Sequence, residues 1–433
     1  MRHPYLSGAP PVITLRPALF VALLIPALAA CGDDESAATG SADDGSVEAP
    51  VASCVSNADC VDSELGPFCA PDTSACAPPP AGSLIGYGDG SPASVDLVEI
   101  YAPTRAVEAP DLAFHPIRDE LWVVNRRYEA EGVCTESTMS GARCRSLAGF
   151  TTVIFNPSGA NQSVDILEDE NSWHFMRRPP AIAFSENEFF ATCGEAFTGN
   201  FEDDSTMFIG PTLWTSDFDI YTQPSGENGS HMDMLHATPW CMGIAHESGN
   251  TYWTFNGEAG SLDRYNFNMD HGPGMHDHSD GQIWRYAAGE VARVPNVPSH
   301  MAFNRTTKYL YVVDSGNNRV VRLDTLSGTE TVDDGPGYEP LANFWVVEGA
   351  ELVELVPPGV MEMPSGLAVH DGVIYVSDTD TSKIHAFDKE GTLLRSLDTG
   401  LPAGTLAGMD VSPAGVLYLS NMQTGEIYRI DPK

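Results

Sequence analysis

From about residue 83 to Lys433 the chain repeats one order of apolar and polar stretches. A short apolar run is followed by a turn, then by a run that alternates aromatic and β-branched residues. A polar turn headed by Asp or Asn comes next, then a further alternating run ending in Asp. Alternation with a period of two predicts half-buried strands. Three copies are plain: Pro298 to Asp324, Pro364 to Asp388 and Leu406 to Asp431. Three weaker ones open at Pro110, Pro180 and Cys241. Units of about forty residues, each a small sheet repeated around an axis, define a β-propeller, and six copies predict six blades.

The last copy stops after its third strand, at Asp431. Ser94 to Tyr101 alternates suitably and precedes the first copy. It is expected to complete the sixth blade and zip the ring shut; the alternative is a five-bladed ring with an irregular cap. Within the fourth copy, Tyr311 to Val320 reads Tyr-Val-Val-Asp-Ser-Gly-Asn-Asn-Arg-Val. This resembles the signature of the NHL-repeat family. The resemblance covers most of the chain, implies the propeller fold, and leaves function open because unrelated functions share such folds.

The N-terminal part differs in character. A basic, proline-containing start leads into the apolar run Ala18 to Ala30, which is too short for a spanning helix. Leu28-Ala29-Ala30-Cys31 resembles a bacterial lipobox. That implies a signal peptide over 1–30, lipid on Cys31 and export to the cell envelope of a Gram-negative-type bacterium. Gly32, not Asp, follows the cysteine, which by the same resemblance favours the outer membrane over the inner. Residues 31–52 are acidic, small and almost free of bulky apolar side chains, so a disordered tether is expected. Residues 53–81 hold Cys54, Cys60, Cys69 and Cys76 and end in a Pro-rich linker. A segment this short has no core, so two crosslinks are expected to hold it. Of the three pairings that four cysteines allow, Cys54–Cys69 with Cys60–Cys76 is the one expected. Residues 82–433 form the propeller. The fold class is therefore all-β: a six-bladed NHL-like propeller behind a lipoprotein signal, a tether and a small disulfide-rich module.

Charge and cysteine usage narrow the partners. The formal net charge is −38. Such a field repels nucleic acid and anionic lipid and favours cationic partners. Membrane contact is expected through the lipid alone, and the chain is expected to be a monomer. With Cys31 assigned to lipid, eight of nine cysteines remain, an even set for an oxidising compartment. Cys134–Cys144 would close one loop, and Cys193–Cys241 would join neighbouring blades.

Candidate chemistry gathers in two places. Residues before an inner strand or after the second strand of a blade face the upper mouth of a propeller. On that geometry His174, Arg177, Arg178, Glu195, His236, Asn256, His300 and Asp314 would line one opening, with arginines able to grip a carboxylate or phosphate of a small ligand or a protein. Seven of the twelve histidines lie between 231 and 300, interleaved with methionines. His231, His236, His271, His276, His278 and His300 are candidate ligands for a transition metal, zinc or copper, with Asp233, Asp270, Asp277 and Asp280 as further donors. The stretch 268–281 falls between the third and fourth strands of its blade, so it is expected on the lower face, away from His236 and His300.

Amidating lyases that resemble NHL propellers hold zinc with histidines in Pro-His steps. Here those steps read Pro298-Ser299-His300, Pro364-Ser365-Gly366 and Pro180-Ala181-Ile182, so that triad does not carry over. Glu195, Asn256 and Asp314 could imitate the cation site of gluconolactonase-like propellers, with calcium as the ion. The leading expectation is a non-enzymatic binding module. The alternatives are a metal-dependent hydrolase or lyase using 231–300, and copper or iron handling. Catalytic residues are not identified.

Overall fold

The computed structural model describes residues 53–60, 63–66, 68–70, 72–127, 147–201, 203–223, 228–333, 335–337 and 340–433. The readings placed on Cys31, on the tether and on Cys134–Cys144 lie outside them. At the start, strands β1 (Phe68–Ala70) and β2 (Ala75–Ala77) pair across a turn. The disulfides here are Cys54–Cys69 and Cys60–Cys76, the expected one of the three possible pairings. These four cysteines are the buried core of the module. Phe68 stacks on Tyr87 at 4.8 Å and ties the module to the propeller's lead-in.

Strand β3 (Val95–Tyr101) comes next and belongs to the last sheet. Blade one is β4 (Glu108–Phe114), β5 (Glu120–Arg126), β6 (Phe150–Phe155) and β7 (Ser163–Leu167). Blade two is β8 (Ile182–Phe184), β9 (Phe189–Thr192), β10 (Thr212–Thr215) and the two-residue β11 (Asp233–Met234). Blade three is β12 (Cys241–Ser248), β13 (Thr251–Asn256), β14 (Ser261–Asn266) and β15 (Gln282–Tyr286). Blade four opens with β16 (Met301–Asn304), β17 (Tyr309–Asp314) and β18 (Arg319–Asp324). A hairpin, β19 (Thr329–Asp333) and β20 (Asn343–Glu348), intervenes before its outer strand β21 (Leu352–Val356). Blade five is β22 (Pro364–His370), β23 (Val373–Asp378), β24 (Lys383–Phe387) and β25 (Leu393–Asp398). Blade six is β26 (Leu406–Val411), β27 (Leu417–Asn421) and β28 (Ile427–Pro432), completed by β3.

The ring closes as the alternation implied. β28 pairs antiparallel with β3 from Ile427 opposite Tyr101 to Pro432 opposite Val95. The interiors between blades are packed with aromatic and aliphatic side chains. Trp122, Trp214 and Trp253 are among the largest fully buried ones. Inner strands approach so closely that a Cβ at Gly243 would collide with the Ser299 carbonyl, and one at Gly366 with that of Ala407.

One feature departs from the repeat. The blade-four hairpin leaves its own blade and adds to the outer edge of blade three, making a six-stranded sheet. β20 pairs in parallel with β15, Gln282 opposite Asn343 through Tyr286 opposite Val347. Trp284 stacks on Trp345 across this junction at 4.6 Å. Cys193 and Cys241 are bonded, linking blade two to blade three.

Candidate functional site

The axis is plugged. In blades one, three, four, five and six the inner-strand position before the core-facing apolar residue holds Asp111, Gly243, His300, Gly366 and Gly408. His300 Nδ1 lies 3.5 Å from Asp111 Oδ1, and His300 Nε2 is 3.2 Å from the Pro180 carbonyl oxygen. Asp111 Oδ2 accepts the Ile182 amide at 2.9 Å. Both side chains are buried. His300 is therefore a buried brace and not a residue of an open mouth.

This brace has a pH consequence. Burial, with a smaller push from Arg126, drives the His300 imidazole down to about 4 from its usual 6.5. Burial also raises Asp111 well above the usual carboxylate range. A histidine depressed by folding contributes stability above pH 6.5 that is lost as pH falls through about 4. The unfolded chain binds the proton more readily over that window. His300→Gln keeps a donor for the Pro180 carbonyl and removes the titration. Relative to that variant, the wild type is expected to lose about 2–4 kcal/mol between pH 7 and 4. Urea unfolding of both at three pH values checks it; parallel profiles would show that His300 does not titrate as argued.

The other expected mouth residues do not gather at one opening. Asn256 Nδ2 donates to Asp263 and to the Ala237 carbonyl, each at 2.9 Å, and its Oδ1 accepts the Glu258 and Ala259 amides. Asp314 accepts Arg319 Nε at 2.8 Å and the Ala292 amide at 2.8 Å. Both hold their own turns. Glu195 is ion-paired with Arg126 at 2.7 Å, the two side chains 3 % and 2 % exposed. The lactonase-like trio is thus committed to separate local partners.

Arg177, Arg178 and Glu195 line one recess, and His174 and His236 line another. The first, about 440 Å³, is lined by Leu147, Arg177, Arg178, Glu195, Phe197, Trp240, Arg293 and Asn296, among others. Arg178 donates to Asn296 Oδ1 at 2.7 Å. The Arg293 guanidinium lies 4.6 Å over the Trp240 ring and 3.7 Å from Glu195. Arg177 donates to the Asn200 carbonyl at 2.8 Å. Glu195 is paired with Arg126, and among the described residues three arginines, Arg177, Arg178 and Arg293, line this opening. Arg178 and Trp240 both have left-handed backbone, φ 45° and 54°, conformations that cluster at functional sites. Arg293 was not singled out from sequence because it sits in an inter-blade connection without a motif.

The second recess, about 390 Å³, lies at the outer edge of blade two. Its aromatic side is Trp173, Phe175, Phe201 and Phe208; its polar side includes His174, His231, His236, His276 and His278. The short helix α1 (Ser172–Phe175) brings in Trp173 to Phe175. Here the structure corrects the placement of 268–281. This connection does not stay away from His236. The His271 amide donates to the Met232 carbonyl at 3.1 Å and the Gly274 amide to the His231 carbonyl at 2.9 Å, docking the loop on blade two. His231 and His271 rings are 5.0 Å apart, His271 and His278 5.3 Å, and His236 and His278 5.9 Å. Phe175 stacks on His231 and Phe208 on His236, each at 3.6 Å. Burial pushes His174 and His231 down to about 3. His276 is exposed, 2.9 Å from Asn228 Nδ2.

No protein-family model and no curated protein matches the sequence. Among solved structures, an auxiliary nutrient binding protein from Bacteroides ovatus is 12 % identical, with a TM-score of 0.47 over 81 % of this chain and 76 % of that one. A calcium-binding regucalcin from Agrobacterium tumefaciens is 11 % identical, TM-score 0.42, over 76 % and 93 %. Virginiamycin B lyase from Staphylococcus aureus is 12 % identical, TM-score 0.44, over 78 % and all of that chain. At these values the likeness carries no argument about function. The blade count rests on this chain's own sheets.

Proposed function

We propose that the chain is an exported, lipid-anchored propeller of NHL type that works as a binding module, taking a ligand's anionic group at the arginine recess. One observation carries this reading. In a chain of formal charge −38, Arg178 and Arg293 line one opening beside Arg177, and Glu195, the one acid among its described lining residues, is paired with the buried Arg126. Such a local reversal of the field draws anions, and guanidinium groups fit carboxylate or phosphate through paired hydrogen bonds. Trp240 and Phe197 add an apolar wall for the rest of the ligand.

Small carboxylates and phosphate esters screened by thermal shift are expected to include stabilising compounds. Arg178→Ala is expected to weaken their binding about tenfold or more, the loss of a hydrogen bond to a charged group at about 1.5–3 kcal/mol. Stabilisation unchanged in both Arg178→Ala and Arg293→Ala would place the ligand elsewhere. Labelling with radioactive palmitate, lost in Cys31→Ser, tests the anchor separately.

A further inference from the structure

The histidine-bearing stretches converge on a buried carboxylate. Asp233 Oδ1 accepts His278 Nδ1 at 2.8 Å and the Met234 amide at 2.7 Å. His271 Nε2 lies 3.9 Å from the same oxygen. One donor atom each from Asp233, His271 and His278 falls within 4.8 Å of the other two. We propose that Asp233, His271 and His278 bind one divalent ion of the zinc class, with its open coordination position facing the aromatic recess.

Two atoms point to an ion independently of the clustering. Asp233 Oδ2 and His271 Nε2 are fully buried and have no hydrogen-bond partner among the described residues. The Asp233 side chain is 0 % exposed and that of His271 is 2 %. A buried carboxylate oxygen and a buried ring nitrogen left unsatisfied are costly. Among the described residues the ion pairs of Asp233 are with histidines, not with lysine or arginine. A cation held by the Asp233 carboxylate and His271 Nε2 would compensate both groups.

The rings are already set for ligation. His271 Nδ1 lies 2.6 Å from the Gly272 carbonyl oxygen, to which its N–H donates. That leaves the Nε2 lone pair aimed inward, the outer hydrogen bond fixing the tautomer. An ion seated there replaces the His278–Asp233 hydrogen bond, the Nδ1 proton passing to Nε2. Imidazole and carboxylate oxygen bind zinc at about 2.0–2.2 Å, which spaces ligand atoms roughly 3.3–3.6 Å apart. The observed 2.8 and 3.9 Å bracket that spacing. With three protein ligands a fourth position stays open, as in catalytic and not structural zinc sites. His278 also lines the recess, so the open position is accessible from it.

The test is a calorimetric titration of zinc chloride into the full chain, purified without a histidine tag and stripped with chelator. One equivalent is expected to bind with micromolar affinity or better. His271→Ala and His278→Ala are each expected to weaken it at least tenfold, while His276→Ala leaves it unchanged. Asp233→Asn is a weaker test because the buried site can misfold; the histidine variants, checked for an unaltered metal-free melting curve, keep the proposal falsifiable. Absence of zinc binding by the wild type, or binding that survives in both histidine variants, would overturn it. The arginine recess shares none of these three ligands, so either reading can fail alone.

Discussion

A chain shortened to begin at residue 103 is expected to lose the cooperative unfolding transition of the propeller. β3 lies before that point, and without it blade six has three strands. Six residues of β28, from Ile427 to Pro432, would lose their antiparallel partner. Val95 is buried in the core shared by blades five and six, and Ile85 of the lead-in lies there too. The Lys433 amide donates to the Ser94 carbonyl and its own carbonyl accepts the Tyr87 amide, each at 2.9 Å. Removing these together exposes an edge in a closed ring. The loss is comparable with the whole net stability of a domain, about 5–15 kcal/mol. The control is a circular permutant that starts at residue 103 and carries 82–101 after Lys433 through a flexible Gly/Ser linker. β3 can then pair with β28 as before, Val95 opposite Pro432, and the permutant is expected to unfold cooperatively near the wild-type midpoint. A cooperative native-like transition in the shortened chain would show that closure by β3 is dispensable.

Arg126→Met is the point change expected to cost most. Arg126 and Glu195 are buried together, with one nitrogen–oxygen contact at 2.7 Å. The Arg126 Nε also donates to the Pro179 carbonyl at 2.8 Å. Breaking such a pair from one side strands the remaining charge in a poorly solvated site, at about 3–5 kcal/mol. Pairing the change with Glu195→Gln removes the stranded charge and is expected to recover a large part of the loss. Urea unfolding of the two single variants and the double variant gives the coupling directly. Additive losses would show that the pair contributes nothing as a pair.

Closure by β3 was readable because it depends on alternation and on a strand missing from the last copy, both local properties. The four cysteines of the N-terminal module were readable for the same reason: a short segment leaves few ways to hold itself. The hairpin β19–β20 was not. Every residue of β19 is exposed, so it carries no burial pattern. Its partner strand β15 belongs to another copy, and nothing in Thr329–Asp333 names that edge. The only sign was length, since Asp324 to Pro364 is longer than one outer strand needs.

The histidines divide the same way. Their enrichment between 231 and 300, with Asp233 among them, is a fact of composition. Position within the repeat sent 268–281 to the lower face, because strand order fixes where a connection begins and ends. It does not fix where the middle goes. Backbone hydrogen bonds to His231 and Met232 carry the loop onto blade two and bring His271 and His278 to Asp233. Arg293 reached the arginine recess by a comparable route.

The sequence by itself determined the strands, the six-fold repeat, the closing strand and the need for two crosslinks among Cys54, Cys60, Cys69 and Cys76. Each follows from periodicity or from the shortness of a segment, and both act over a few residues. Tertiary structure alone decided that the axis is braced by His300 and Asp111. It also decided that the expected mouth divides into two recesses, and that two distant histidine stretches share one buried carboxylate. Those outcomes depend on how blades and long connections pack against one another, and contacts of that kind leave no period in the chain.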